Sequence, residues 1–122
     1  KRALLLNMSV ASHCPLLESA IKPLENELKT TLTDNFIAPV ISNVTAKKYN
    51  TKDEAIDLLA KQLINPVKYK HSIKAYEDRV DYFIEFGNGV VLKGLNRKIT
   101  KKPTLNVSDM KTLESALEKL ND

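Results

Sequence analysis

An α/β layer structure with some parallel strands is expected from three features of this 122-residue sequence. Apolar residues recur at period two in some stretches and at helical spacing in the stretches between, the pattern of strands covered by helices. The strongest strand candidate, at 80–86, ends at Gly87-Asn88-Gly89 and runs into a helical stripe, as strands of βαβ units do. No linker, low-complexity tract or internal repeat interrupts the order, so 1–122 reads as one unit without an internal boundary.

The elements follow in order. Leu4, Leu6, Met8 and Val10 share one face at period two, with Leu5, Asn7 and Ser9 opposite, which reads as a first strand. It leads into Ala11-Ser12-His13-Cys14-Pro15, where proline suits the first turn of a helix. Leu17, Ala20, Ile21, Leu24 and Leu28 then recur at helical spacing, and Pro23 inside that stripe predicts a kink or a late start. Val40, Ile41 and Val44 after Pro39 give a short strand over 40–43, and 47–51 reads as a polar loop. Ala55, Ile56, Leu58, Leu59 and Leu63 mark a helix over 53–63 that Asn65-Pro66 closes. A helix over 69–77, the strand at 80–86 and a helix over 90–99 come next, the last carrying Val91, Leu92, Leu95 and Ile99 and ending at Lys101-Lys102-Pro103. A strand over 104–107 precedes a final amphipathic helix with Leu113, Leu117 and Leu120, capped by Ser108 or Asp109.

Composition excludes several classes. Hydrophobic content of 43% with 28% charged residues excludes disordered and collagen-like chains. The longest apolar run, at 3–6, is far short of the roughly 20 residues that cross a bilayer, so no membrane association is expected. Net charge is 19 − 15 = +4, enough to favour an acidic partner and too small to demand nucleic acid. Three Phe, four Tyr and no Trp leave little for bases to stack on. Cys14 is the single cysteine, which excludes an internal disulfide and a Cys-rich metal site and suits a reducing compartment such as the cytoplasm. The sequence opens at Lys1 without Met or a signal-like segment, so it is expected to be a piece of a longer polypeptide.

Among candidate functional residues, His13 lies between the first strand and the proline-started helix, where α/β folds present reactive groups. Its imidazole is a candidate general base, against the alternative of a histidine satisfying a loop hydrogen bond. Cys14 is adjacent, but neighbours in an extended segment point to opposite sides, so Cys14 is expected to face inward as a small apolar filler. His71 reads as a surface histidine, and two histidines 71 − 13 = 58 positions apart make no metal site. Gly87 and Gly89 form a Gly-x-Gly turn that permits an anion at the next helix's N-terminus. Leu92 breaks the dinucleotide pattern, which leaves a tight turn plus close helix packing as the simpler account. Lys93, Arg97 and Lys101 repeat at i, i+4, i+8 as a basic stripe, either a solvated face or a landing strip for an acidic protein or phosphorylated cofactor.

Four segments in register resemble the C-terminal part of the malonyl-CoA:acyl carrier protein transacylases. They are Ser9-Val10-Ala11-Ser12-His13-Cys14-Pro15-Leu16-Leu17, Pro39-Val40-Ile41-Ser42-Asn43-Val44, Lys61-Gln62-Leu63-Ile64-Asn65-Pro66-Val67, and the strand, turn and helix from Phe83 to Leu95. The resemblance implies the C-terminal part of a hydrolase-like layered core with mainly parallel strands, the ferredoxin-like subdomain being absent from this chain. It implies malonyl transfer from malonyl-CoA to acyl carrier protein through an acyl-serine ester, with no cofactor or metal. His13 matches the histidine that activates the serine, and Gln62 a glutamine whose backbone carbonyl orients the imidazole, as the aspartate does in a serine protease. Partners implied are acyl carrier protein, malonyl-CoA and the N-terminal portion of the same enzyme.

Departures from the pattern qualify that implication. Asn88 and Val90 stand where the family usually has proline and lysine. The first glycine is Gly87, so no G-x-S-x-G elbow precedes His13, and the chain is expected to supply the histidine but not the serine. Alternatives are a polyketide synthase acyltransferase domain or an inactive carrier-protein-binding module.

Overall fold

The computed structural model describes residue 3 and residues 11–121; the expected first strand, at 4–10, lies outside them. Two compact units make up the chain, Lys1–Tyr69 and Lys70–Asp122.

In the first unit, a 3-10 turn at Pro15–Ala20 leads into helix α1, Ile21–Thr31. Pro23 explains the sequence of turn then helix. In an α-helix its ring would clash with the carbonyl of the residue four back, so regular α geometry begins only when Pro23 falls in the first turn. Helix α2, Lys52–Gln62, packs on α1 and buries Ala55, Ile56 and Ala60. Its start is set by Thr51, whose hydroxyl accepts the Glu54 N–H at 3.3 Å, while the Glu54 carboxylate accepts the Thr51 hydroxyl at 2.9 Å. Lys52 Nζ donates to the Lys29 carbonyl in the last turn of α1 at 2.7 Å, tying the two helix ends.

Between these helices, strands β1, Val40–Ile41, and β2, Lys48–Tyr49, pair antiparallel, Val40 opposite Tyr49 and Ile41 opposite Lys48. The polar loop expected over 47–51 is corrected at Lys48–Tyr49 alone, and the strand expected over 40–43 is limited to Val40–Ile41. Tyr49 is buried and meets Phe36 edge-on, ring centroids 6.3 Å apart, a long-range packing reason that a short polar sequence hides. Burial also pushes the Tyr49 phenol above its ordinary pKa. The turn between the strands is organised by buried Ser42, whose hydroxyl accepts the N–H groups of Val44 and Thr45 at 3.1 and 3.3 Å.

In the second unit, α3, Tyr69–Tyr76, is followed by a 3-10 turn and then by β3, Phe83–Phe86, α4, Val91–Ile99, β4, Thr104–Val107, and α5, Met110–Asn121. Strands β3 and β4 are parallel, from Phe83 opposite Thr104 to Phe86 opposite Val107, and α4 is their crossover. Helix α5 packs back on β4, with Leu105 and Ala116 buried. The expected α/β class with parallel strands is thus observed. Strand β3 begins later than the hydrophobic pattern suggests because its ladder starts where Phe83 N–H reaches the Pro103 carbonyl, at 2.9 Å. No helix among the described residues is long and apolar enough to cross a membrane.

Asp109 caps α5, its carboxylate accepting the Thr112 N–H at 2.8 Å. That backbone donation, with the Thr112 hydroxyl second, holds the Asp109 carboxyl below its ordinary pKa of 3.8. A depressed folded pKa means that the stabilisation is complete above the ordinary value and is lost as pH falls through the folded one. Unfolding followed by circular dichroism should therefore show part of the acid-side loss disappearing in Asp109→Asn, whose amide oxygen still accepts but does not titrate.

Candidate active site

His13 stands just before the 3-10 turn with φ of 55°, in the left-handed region that β-carbon sterics disfavour for residues other than glycine. Such a conformation costs on the order of 1–3 kcal/mol and persists where the surroundings over-determine it. The ring supplies one such determinant. Its Nδ1 lies 2.8 Å from the backbone carbonyl oxygen of Gln62. A carbonyl only accepts, so Nδ1 carries the hydrogen and donates, and Nε2 of the neutral ring keeps its lone pair. His13 is exposed, which leaves the ring accessible to a reactant.

Gln62 is the last residue of α2, where carbonyls have no intrahelical donor and where the helix dipole is negative. The side chain of Gln62 is anchored separately, its Oε1 accepting from Asn43 Nδ2 at 3.2 Å. Asn43 follows Ser42 in the β1–β2 turn, and its own carbonyl accepts the Lys68 N–H at 2.8 Å. Sequence reading assigned no role to Asn43. The signal available was its place between a turn-forming serine and a β-branched residue.

Other candidates fall differently. The extended segment assumed for His13 and Cys14 is corrected: Cys14 is extended, with φ −144° and ψ 163°, but His13 is left-handed. Cys14 is half-buried, not an interior filler, and its carbonyl accepts the Leu17 N–H. His71 is exposed on α3. Gly87 and Gly89 have φ of 118° and 94°, which explains the glycine turn. Close packing does not explain Gly94, because a β-carbon there meets nothing within 4 Å. Nor is the N-terminus of α4 open to an anion: Glu85 on β3 already accepts the N–H groups of Leu92 and Lys93 at 2.9 and 3.0 Å. Asn106 on β4 secures the same turn, donating to the Gly89 carbonyl at 2.8 Å.

The basic stripe is also modified. Helix α4 ends at Ile99 and Thr100 is extended, so Lys101 is not on the helix at i+8. Lys93, Arg97 and Lys101 nonetheless line one cleft of the second unit, together with Lys102 and Lys119. Lys119 is 119 − 93 = 26 positions from Lys93, a distance at which helical spacing carries no information. Beside this cleft Glu77 receives Lys74 Nζ at 2.8 Å, which with the Thr100 hydroxyl holds its carboxyl below the ordinary carboxylate value.

An imidazole held by a helix-end carbonyl is the most chemically distinctive arrangement in the first unit. The chain is homologous along its length to a segment of the malonyl CoA-acyl carrier protein transacylases. The Bacillus subtilis transacylase is 36% identical over 124 residues, which take in 100% of this chain and 39% of that protein. The crystal structure of the Helicobacter pylori enzyme matches with a TM-score of 0.95 at 47% identity, across 100% of this chain and 39% of that one. A malonyl-transacylase solved with its type II polyketide synthase acyl-carrier protein matches with a TM-score of 0.88 at 34% identity, across 98% of this chain and 39% of that one. The chain thus spans about 39% of the length of these relatives. No family model matches it.

The role of Asn106 in the glycine turn is open to a direct measurement. Asn106→Ala removes the donor to the Gly89 carbonyl and should cost about 0.5–1.5 kcal/mol, the net worth of one such bond. Urea denaturation at neutral pH reads this as a lower midpoint with an unchanged slope.

Proposed function

We propose that this chain supplies the general base of a malonyl-CoA:acyl carrier protein S-malonyltransferase, an enzyme of fatty acid biosynthesis. The observation that carries the reading is the hydrogen bond from His13 Nδ1 to the Gln62 carbonyl at 2.8 Å, which leaves Nε2 as the accepting nitrogen. Catalytic roles are assigned on that basis to His13, as base and acid, and to the Gln62 backbone, as its orienting group. The nucleophilic serine comes from polypeptide outside this sequence, since glycines occur only at 87, 89 and 94 and no G-x-S-x-G is present.

The chemistry is a two-step exchange. In the first step Nε2 takes the serine hydroxyl proton as the oxygen attacks the malonyl thioester carbonyl. The C–S bond then breaks, and the imidazolium returns the proton to the departing coenzyme A thiolate. In the second step Nε2 takes the proton of the carrier's phosphopantetheine thiol. Sulfur attacks the malonyl ester, the C–O bond breaks, and the serine oxygen recovers the proton. No redox group or metal enters this balance. Positive charge on His13 is transient in both steps, and the Gln62 carbonyl faces it throughout.

Acyl carrier protein is the proposed macromolecular partner, and the Lys93, Arg97 and Lys101 cleft is its proposed contact. The reading is supported by the five basic side chains of that cleft, Lys102 and Lys119 being the others, and by the carrier complex of a relative. The N-terminal portion of the enzyme is the second proposed partner. Apolar side chains left exposed in the second unit, among them Phe86, Val90 and Val91, suit further polypeptide packing there. The cytoplasm is the proposed compartment, in keeping with one unpaired cysteine. A second reading, favoured by the relative solved with a polyketide carrier, assigns the chain to polyketide assembly; relative loading rates of the two carriers discriminate between them.

In the full-length enzyme His13→Ala should lower the rate of malonyl transfer at least about a hundredfold, the lower range of general-base contributions. Near-normal turnover in that variant rejects the assignment. Reversing the charges of Lys93, Arg97 and Lys101 should raise the apparent KM for carrier protein and weaken its salt dependence, while hydrolysis of malonyl-CoA stays largely intact. Equal losses toward both substrates would point instead to the coenzyme's phosphates.

A further inference from the structure

The last turn of α2 shows how the Gln62 oxygen comes to be available. Carbonyls there need donors from outside the helix ladder, and most find them locally. Leu63 N–H returns to Ala60 at 3.2 Å, while Ile64 N–H and Asn65 Nδ2 reach Lys61 at 3.3 and 2.8 Å. These backbone bonds follow the tighter i→i−3 pattern, whose next donor, Asn65 N–H, makes no such bond to Gln62; the donor that an α-helical continuation would aim at Gln62 belongs to residue 66. Residue 66 is proline and has no N–H. Proline also disfavours helical geometry at Asn65, so the turn that follows α2 at Leu63 and Ile64 does not rewind into helix.

We propose that Pro66 is a positioning residue for His13: by withholding a backbone donor from the Gln62 carbonyl it reserves that oxygen for the imidazole Nδ1–H. A local N–H four residues away would compete at small entropic cost with a side chain 49 positions distant, so its absence decides which donor is bound. The choice of donor then sets the ring. With Nδ1–H engaged, Nε2 is the basic nitrogen; a local N–H on one of the carbonyl's two lone pairs weakens it as a partner for the ring and with it that preference. The segment around Pro66 is held by other means, since Lys68 N–H is bound to the Asn43 carbonyl and Gln62 Oε1 to Asn43 Nδ2. Pro66 itself is exposed, so its replacement leaves no cavity. The functional consequence rests on the general-base reading of His13, but the geometric claim does not.

The test is therefore spectroscopic. In the full protein, 15N-labelled at histidine, long-range proton–nitrogen correlations at an alkaline pH where imidazole is neutral identify the tautomer of His13, assigned by loss of its signals in His13→Gln. The expected result is an Nδ1–H ring in the parent protein and a majority Nε2–H ring in Pro66→Ala, with the new backbone amide at position 66 protected from hydrogen exchange. N-methylalanine at position 66, introduced by ligation, lacks both the ring and the N–H and should restore the parent tautomer. Pro39→Ala, a loss of an exposed proline elsewhere, should leave it unchanged. A parent tautomer retained in folded Pro66→Ala, or lost with N-methylalanine, overturns the proposal. If Pro66→Ala does not fold, the N-methylalanine protein alone decides, the ring and not the missing N–H being responsible if it too shows Nε2–H. None of these readings depends on turnover, so failure of His13→Ala to slow catalysis is a separate outcome.

Discussion

The carbonyl of Gln62 stands at the negative end of α2 with no backbone donor among the described residues, and the geometry of the candidate site is arranged around that oxygen. Carbonyls at a helix end take their donors from outside the helix ladder, and here the structure brings one. The donor is His13, which adopts a left-handed backbone to reach it. One hydrogen bond therefore satisfies a helix end, offsets local strain and selects the tautomer of the ring. Everything proposed for the chemistry depends on the last of these effects, because a base is useful only when the correct nitrogen carries the lone pair.

That oxygen must also be held still. Thr51 and Glu54 define where α2 begins, and the buried faces of Ala55, Ile56 and Ala60 set it against α1. Asn43, presented by the Ser42-centred turn, fixes the Gln62 side chain at 3.2 Å. Short polar residues in a turn thus hold the residue whose carbonyl receives the His13 ring. The second unit uses the same device. Glu85 and Asn106, from neighbouring parallel strands, secure the start of α4 and the glycine turn before it. In both units a side chain from one element satisfies the backbone ends of another, which is how small α/β pieces define their connections without long loops.

Charge is distributed by the same geometry. Lys93 and Arg97 are one turn apart on α4, but Lys101 joins them only because the chain turns after Thr100, and Lys119 only because α5 returns along β4. A cluster of five cations in one cleft attracts an acidic surface more strongly than the net charge of +4 suggests, since field depends on arrangement.

Much of this was readable from residue order. The helical stripes that became Ile21–Thr31, Lys52–Gln62 and Met110–Asn121, the kink or late start expected at Pro23, the strand at Thr104–Val107 and a cap at Ser108 or Asp109, which the structure resolves as Asp109, are local consequences of side-chain periodicity, the proline ring and hydrogen-bonding groups. The match of His13 and Gln62 to a family pattern was also visible, since it lies in the residues themselves. Tertiary structure alone decided that Lys48–Tyr49 is a strand, that His13 is left-handed, that Glu85 occupies the helix start where an anion was considered, and that Asn43 anchors Gln62. Each of these is a contact between separate elements of the chain, or a backbone angle beside such a contact. Periodicity and propensity describe what a segment favours in isolation; they do not record which distant atom will need a partner.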